Sequence, residues 1–282
     1  MSTDTSIELA VDCFHRFLLL MPYAQLDDIR LYYEAAGEGE TLVFLHGFSL
    51  DRRMWGTQSL FFRERYHVLL PDARGHGLSD APLTGYSRAD RVEDLLRLLN
   101  SLEIDRFHLV GLSMGGATSI GFALKYPERL RSLTLVSSGA AGYGVSKKFD
   151  KLDHTARDQG VEVALQNWKD WSLAWYRGDK QELGEFMNNM MSGYSGAVWR
   201  DPMRGKYPKE DDLSRVSSIR IPTAIFAGEL DEIFAHLARK LHERIEGSRL
   251  SIYSGVGHMV NLEEPNRFNA DLKVFLEDTP TA

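Results

Sequence analysis

Short runs of consecutive apolar residues alternate with longer amphipathic stretches along most of this chain. Residues 41–45, 67–70, 106–110, 130–136, 223–227 and 250–253 are each mostly apolar. That is the pattern of strands buried on both faces. Residues 29–34 alternate apolar and polar instead and run into Gly37-Glu38-Gly39, which predicts a half-buried strand ending in a hairpin-like turn. Between these runs the period changes to that of a helix. Val92, Leu95, Leu96 and Leu99 recur within 87–102, Ile120, Ala123 and Leu124 within 117–125, and Phe268, Leu272 and Phe275 near the end. Strands alternating with helices in this way imply a doubly wound, mostly parallel sheet, an α/β architecture.

Residues 139–210 break that rhythm. The stretch is helical, aromatic and rich in methionine, with Trp168, Trp171 and Trp175 at i, i+3, i+7 and Met187, Met190 and Met191 at i, i+3, i+4. The sheet pattern resumes at Ile221-Pro222. The reading is an inserted helical cap, 139–210, over a core made of 23–138 and 211–282. Most of its large side chains serve to fasten the cap to the core. Trp168, Trp171, Trp175, Met187 and Met190 are the candidates for lining a substrate cavity beneath it. Residues 1–22 precede the core as an N-terminal extension. Ile7, Val11, Phe14 and Leu18 share one helical face behind Thr3 or Thr5, which predicts a helix packed on the body or on a second subunit. Its acidic start (Asp4, Glu8, Asp12) and short apolar run do not fit a secretory signal. No stretch approaches the length of a membrane span.

Composition narrows the function classes. At 282 residues, 43% apolar and 26% charged, the chain suits one large domain or a domain with an insertion. Its net charge of −7 lacks the basic footprint of a nucleic-acid binder. The single cysteine, Cys13, rules out an intramolecular disulfide and a thiolate metal cluster, and fits a cytoplasmic location. There is no H-E-x-x-H helix, no Walker loop and no strand-linked G-x-G-x-x-G, so no metal, nucleotide or other cofactor is expected. A homo-oligomer stays open.

The chemistry centres on Leu109-Val110-Gly111-Leu112-Ser113-Met114-Gly115-Gly116, a G-x-S-x-G turn between a buried strand and a helix. A serine on so sharp a turn brings its neighbours at −2 and +2 against backbone, where a residue without Cβ fits. The hydroxyl is a weak nucleophile and needs a base, itself oriented by a carboxylate. Of nine histidines, His258 has the best position, after the last strand and Tyr253-Ser-Gly255-Val-Gly257, where it is expected to begin the last helix. Asp231 ends an earlier strand within Gly228-Glu229-Leu230-Asp231-Glu232. The order Ser113, Asp231, His258 is that of a hydrolase triad. The oxyanion of acyl transfer needs two N–H donors. The Met114 amide opens the helix, and the Phe48 amide follows the strand ending at 45.

These stretches, together with His46-Gly47-Phe48, Asp72-Ala-Arg74-Gly75-His76-Gly77-Leu-Ser79-Asp80 and Leu262-Glu-Glu-Pro265, resemble the α/β-hydrolase superfamily from about Tyr23 to Glu277. The elbow and the cap length are most similar to small bacterial esterases, enol-lactonases and cofactor-free perhydrolases. The resemblance implies an eight-stranded α/β-hydrolase fold and hydrolysis of a small-molecule ester or lactone. It also implies that His46 and the 72–77 stretch mostly hold loops together. Serine at the elbow excludes the dehalogenases and epoxide hydrolases of the fold, which carry aspartate there. Carbon–carbon bond hydrolases use the same three residue types and stay open. So does a hydrolase-fold receptor that holds its ligand and turns it over slowly.

Overall fold

The computed structural model describes residues 22–143, 147–173 and 181–279. The extension up to residue 21, Cys13 included, and Trp175 lie outside the described residues. Eight strands form one sheet: β1 (Tyr23–Gln25), β2 (Arg30–Ala36), β3 (Glu40–Leu45), β4 (Tyr66–Pro71), β5 (Phe107–Leu112), β6 (Leu130–Val136), β7 (Thr223–Gly228) and β8 (Arg249–Tyr253). Their order across the sheet is β1-β2-β4-β3-β5-β6-β7-β8. β1 and β2 run antiparallel to their neighbours, and every pairing from β4 to β8 is parallel.

One expectation about the turns is corrected. Gly37-Glu38-Gly39 is not a hairpin, because β2 pairs with β4 and β3 lies beyond it. The hairpin joins β1 to β2, closed by the Leu26 N–H on the Ile29 carbonyl at 2.8 Å. At Gly37 the chain has φ +82°, and a Cβ there would stand 2.2 Å from the Arg63 carbonyl. The glycines mark a tight bend, but a bend does not say which strand will lie alongside.

The helices are α1 (Gly56–Phe62), α2 (Arg88–Ser101), α3 (Met114–Lys125), α4 (Lys147–Asp158), α5 (Val161–Leu173), α6 (Gln181–Ser192), α7 (Ala197–Arg200), α8 (Glu232–Arg244), α9 (Val260–Glu263) and α10 (Pro265–Glu277). Strand residues alternate between two cores, as the pleat requires. Val43 and Leu109 face a core shared with Leu95 of α2, Ile120 of α3 and Leu241 of α8. Phe44 and Val110 face another, shared with Phe62 of α1 and Phe268 of α10. α2 starts on a capping box, in which the Ser87 hydroxyl takes the Asp90 N–H and the Asp90 carboxylate takes the Ser87 N–H.

Between β6 and β7 the chain leaves the sheet for α4 to α7. These helices bring together Leu152, Trp168, Tyr194 and Trp199, with Tyr86 and Phe48 of the core packed into the same cluster. Their return to the sheet is fastened to the start of α2. Arg88 pairs with Glu210 and Asp212, each at 2.9 Å, and the Tyr207 hydroxyl accepts the Gly85 N–H at 2.7 Å. Among the described residues, no helix is long and apolar enough to cross a membrane.

Candidate active site

β5 stops at Leu112 and α3 starts at Met114, which leaves Ser113 alone on the turn with φ 55° and ψ −109°. A non-glycine residue held there stores strain, so the surroundings must fix it. Three glycines allow them to. A Cβ on Gly111 would meet the Ser119 Oγ at 2.4 Å, one on Gly115 the Leu45 carbonyl at 2.3 Å, and one on Gly116 the Ser138 Oγ at 2.2 Å. The Ser113 N–H donates to the Val136 carbonyl at 3.0 Å, and its own carbonyl accepts from Ala117 and Gly139.

The loops after β7 and β8 abut in the same manner. Leu230 N–H donates to the Val256 carbonyl and Glu229 N–H to the Tyr253 carbonyl, both at 2.9 Å. That contact sets Asp231 beside His258, whose Nδ1–H donates to the Asp231 Oδ2 at 2.5 Å. Both side chains are buried. With Nδ1–H donating to the carboxylate, Nε2 is the basic nitrogen of the ring. His258 does not begin a helix as expected. It sits in the loop before the short α9, bracketed by Glu263, whose carboxylate accepts the Gly257 and Met259 N–H groups at 2.9 and 3.1 Å.

At the end of β3, His46 donates through Nδ1 to the Gly47 carbonyl at 2.8 Å and accepts the Ala73 N–H on Nε2 at 2.9 Å. The Gly47 carbonyl belongs to the same peptide as the Phe48 N–H, so this bond fixes the plane of that peptide. The Phe48 ring lies within 6.2 Å, centroid to centroid, of His76, Phe149, Trp168, Tyr194 and Trp199. Met114 supplies the first N–H of α3, one with no acceptor inside its own helix. The rest of the 72–80 stretch is tied down. Asp72 accepts from the Arg52 backbone, the Arg52 guanidinium and Leu78, and Arg74 pairs with Asp94 through two bonds. Burial, and then the neighbouring His46, press His76 down to about 3. It is therefore neutral, stacked on Tyr194 at 4.6 Å and bonded to the Arg74 carbonyl.

Ser113 and His258 line one cavity, part of it open to solvent. Phe48, Trp168 and Met187 line it too. Trp171 stands behind, edge-on to Trp168 and Phe149, and Met190 is buried in the core cluster; neither is in the wall. The neighbouring Met191 is in the wall. Phe149, Ser172, Phe234 and Met259 complete much of the lining and were not singled out from sequence. Nor was Glu263, whose only sequence signal is the acidic pair before Pro265.

The comparisons place this architecture in a hydrolase family. Residues 40–265 match the family described as "alpha/beta hydrolase fold", and the chain belongs to it. It is 27% identical to 3-oxoadipate enol-lactonase 2 of Acinetobacter baylyi over 86% of this chain and 91% of that protein. It is 30% identical to the 2-hydroxy-6-oxononadienedioate/2-hydroxy-6-oxononatrienedioate hydrolase of Klebsiella pneumoniae, over 88% of this chain and 91% of that one. A solved structure described as "Est816 as an N-Acyl homoserine lactone degrading enzyme" superposes with a TM-score of 0.78. It is 29% identical and covers 90% of this chain and 100% of its own.

Proposed function

We propose that the protein is a serine hydrolase that cleaves small to medium, uncharged carboxylic esters or lactones through an acyl-Ser113 intermediate. The observation that carries this reading is the buried Asp231–His258 hydrogen bond beside a cavity that Ser113 also lines. His258 takes the Ser113 proton as the hydroxyl attacks the carbonyl. The Phe48 and Met114 amides bind the oxyanion, and Asp231 stabilises the imidazolium. The C–O bond breaks as His258 returns the proton to the leaving alkoxide. Water, activated by the same imidazole, then releases the acid.

The substrate class rests on the cavity wall. Apart from the hydroxyls of Ser49, Ser113 and Ser172, its described lining is aromatic, aliphatic and thioether, with His258 its one titratable side chain. Such a wall suits an uncharged acyl group, and methionine lets the wall adapt to several. The relatives named as a lactonase and as a lactone-degrading enzyme support cyclic esters among the substrates. Residues 139–210 act as the cap that closes over the acyl group, and the site needs no cofactor.

The test is kcat/KM on p-nitrophenyl esters from C2 to C16, with a γ-lactone and a vinylogous 1,5-diketone alongside and Ser113→Ala as control. A peak between C2 and C8 that Ser113→Ala abolishes supports the reading. A peak at C12 or beyond points to a lipase, and faster cleavage of the diketone to a carbon–carbon hydrolase. A single burst without turnover points to a receptor.

A further inference from the structure

The cavity wall and the oxyanion loop are joined by one hydrogen bond that the mechanism above does not use. The Trp168 indole N–H, on α5, donates to the Ser49 Oγ at 2.6 Å. Ser49 is the residue after Phe48. It is 1% exposed and holds φ +62°, a left-handed conformation that a serine adopts only when its surroundings impose it. The Phe48 ring packs edge-on against the same indole at 5.0 Å. Two consecutive residues are thus gripped by one side chain, and the first of them carries the amide assigned to the oxyanion.

We propose that Trp168 is a positioning residue for the oxyanion hole: through Ser49 and the Phe48 ring it holds the strained loop so that the Phe48 N–H points at the reacting carbonyl. The proposal rests on the serine-hydrolase reading. It gives the indole a second task besides walling the acyl group. An acyl chain pressed against Trp168 presses on the strut that aims the donor, so filling the cavity and stabilising the oxyanion are linked. Misplacing a reacting or stabilising group by about 1 Å costs on the order of 10²-fold in rate, and an oxyanion donor acts on the transition state rather than on bound substrate. The loss should therefore appear in kcat.

The test is a double-mutant cycle of Trp168→Phe and Ser49→Ala, read on p-nitrophenyl butyrate and on inhibition by phenylboronic acid, which forms a tetrahedral adduct with an active serine. Trp168→Phe removes the donor and part of the ring's volume, whereas Ser49→Ala removes the acceptor and leaves the indole in place. Each single variant should lower kcat by about 10- to 100-fold, leave KM within about threefold, and weaken phenylboronic acid by a factor similar to the kcat loss. The double variant should be no worse than the poorer single one. Unchanged kcat in either variant, a loss carried by KM alone, or losses that multiply in the double variant would overturn the proposal. If Trp168→Phe does not fold, Ser49→Ala decides by the same split between kcat and KM. Ser113→Ala separates the two levels of argument. Activity retained there defeats the serine reading itself, whereas its loss beside intact Trp168→Phe and Ser49→Ala defeats this inference alone.

Discussion

The Asp231 carboxylate and the His258 Nδ1–H stand 2.5 Å apart although 27 positions separate them in the chain. The bond fixes the imidazole tautomer. Asp231→Asn presents an N–H or a weaker acceptor to Nδ1 and lets the wrong nitrogen carry the proton. kcat should fall by about 10⁴ with an unchanged circular dichroism spectrum. The nearby Glu229 binds Ser254 and Gly255 at the surface, so Glu229→Gln should keep kcat within about threefold. The reverse pattern would move the acid to Glu229.

Two glycine substitutions should act with opposite signs. A Cβ on Gly228 would lie 2.0 Å from the Gly257 carbonyl, backbone that cannot step aside without parting the Asp231 and His258 loops. Gly228→Ala should cost at least about 2 kcal/mol in urea unfolding and most of the activity. Gly184 lies within α6 and meets nothing within 4 Å. Gly184→Ala should stabilise by about 0.5–1 kcal/mol and leave kcat alone. A stable, active Gly228→Ala protein would show that the abutment of these loops is dispensable.

Glu263 does for the His258 loop what a cap does for a helix. Glu263→Ala strands the Gly257 and Met259 N–H groups, both buried, and should cost roughly 2–5 kcal/mol of stability. Because those groups flank the proposed base, kcat should fall as well, at a temperature well below the variant's own Tm. Full kcat under those conditions would leave Glu263 with a purely structural part.

Stability should carry the mark of His76. Its folded-state value, about 3, lies below the roughly 6.5 of an unfolded histidine. The unfolded chain thus binds the proton first as pH falls. The stabilisation is complete above about pH 6.5 and is lost progressively as pH drops toward 3. Between pH 7.5 and 5 this group alone should remove about 2 kcal/mol. His76→Phe keeps a ring to stack on Tyr194 and cannot titrate, so its unfolding free energy should be less steep in pH by that amount. Equal slopes would mean that His76 accepts a proton without unfolding.

What was legible in the sequence follows from range. Strands buried on both faces appear as apolar runs, and Gly111, Ser113 and Gly115 announce themselves within five positions, because local backbone demands those residues. The order of β3 and β4 did not appear, since a bend at Gly37 is silent about which strand pairs where. The methionines show the limit of periodicity. Met190 and Met191 differ by one step around α6, and only the seating of that helix decides that Met191 meets the cavity. Trp171 has the same helical spacing as Trp168 but ends up behind it. Ser49 and Glu263 act through partners more than a hundred positions away or across a loop, and neither residue type distinguishes itself.

The conformation of Ser113 has a consequence for anyone who would borrow it. Its φ of 55° is maintained by contacts from three directions: the end of β3 against Gly115, the residues after β6 against Gly116, and Ser119 against Gly111. An octapeptide cut from this turn keeps every letter and none of those contacts, so it relaxes to an ordinary bend. Grafting the turn onto another scaffold would transplant the spelling without the spring.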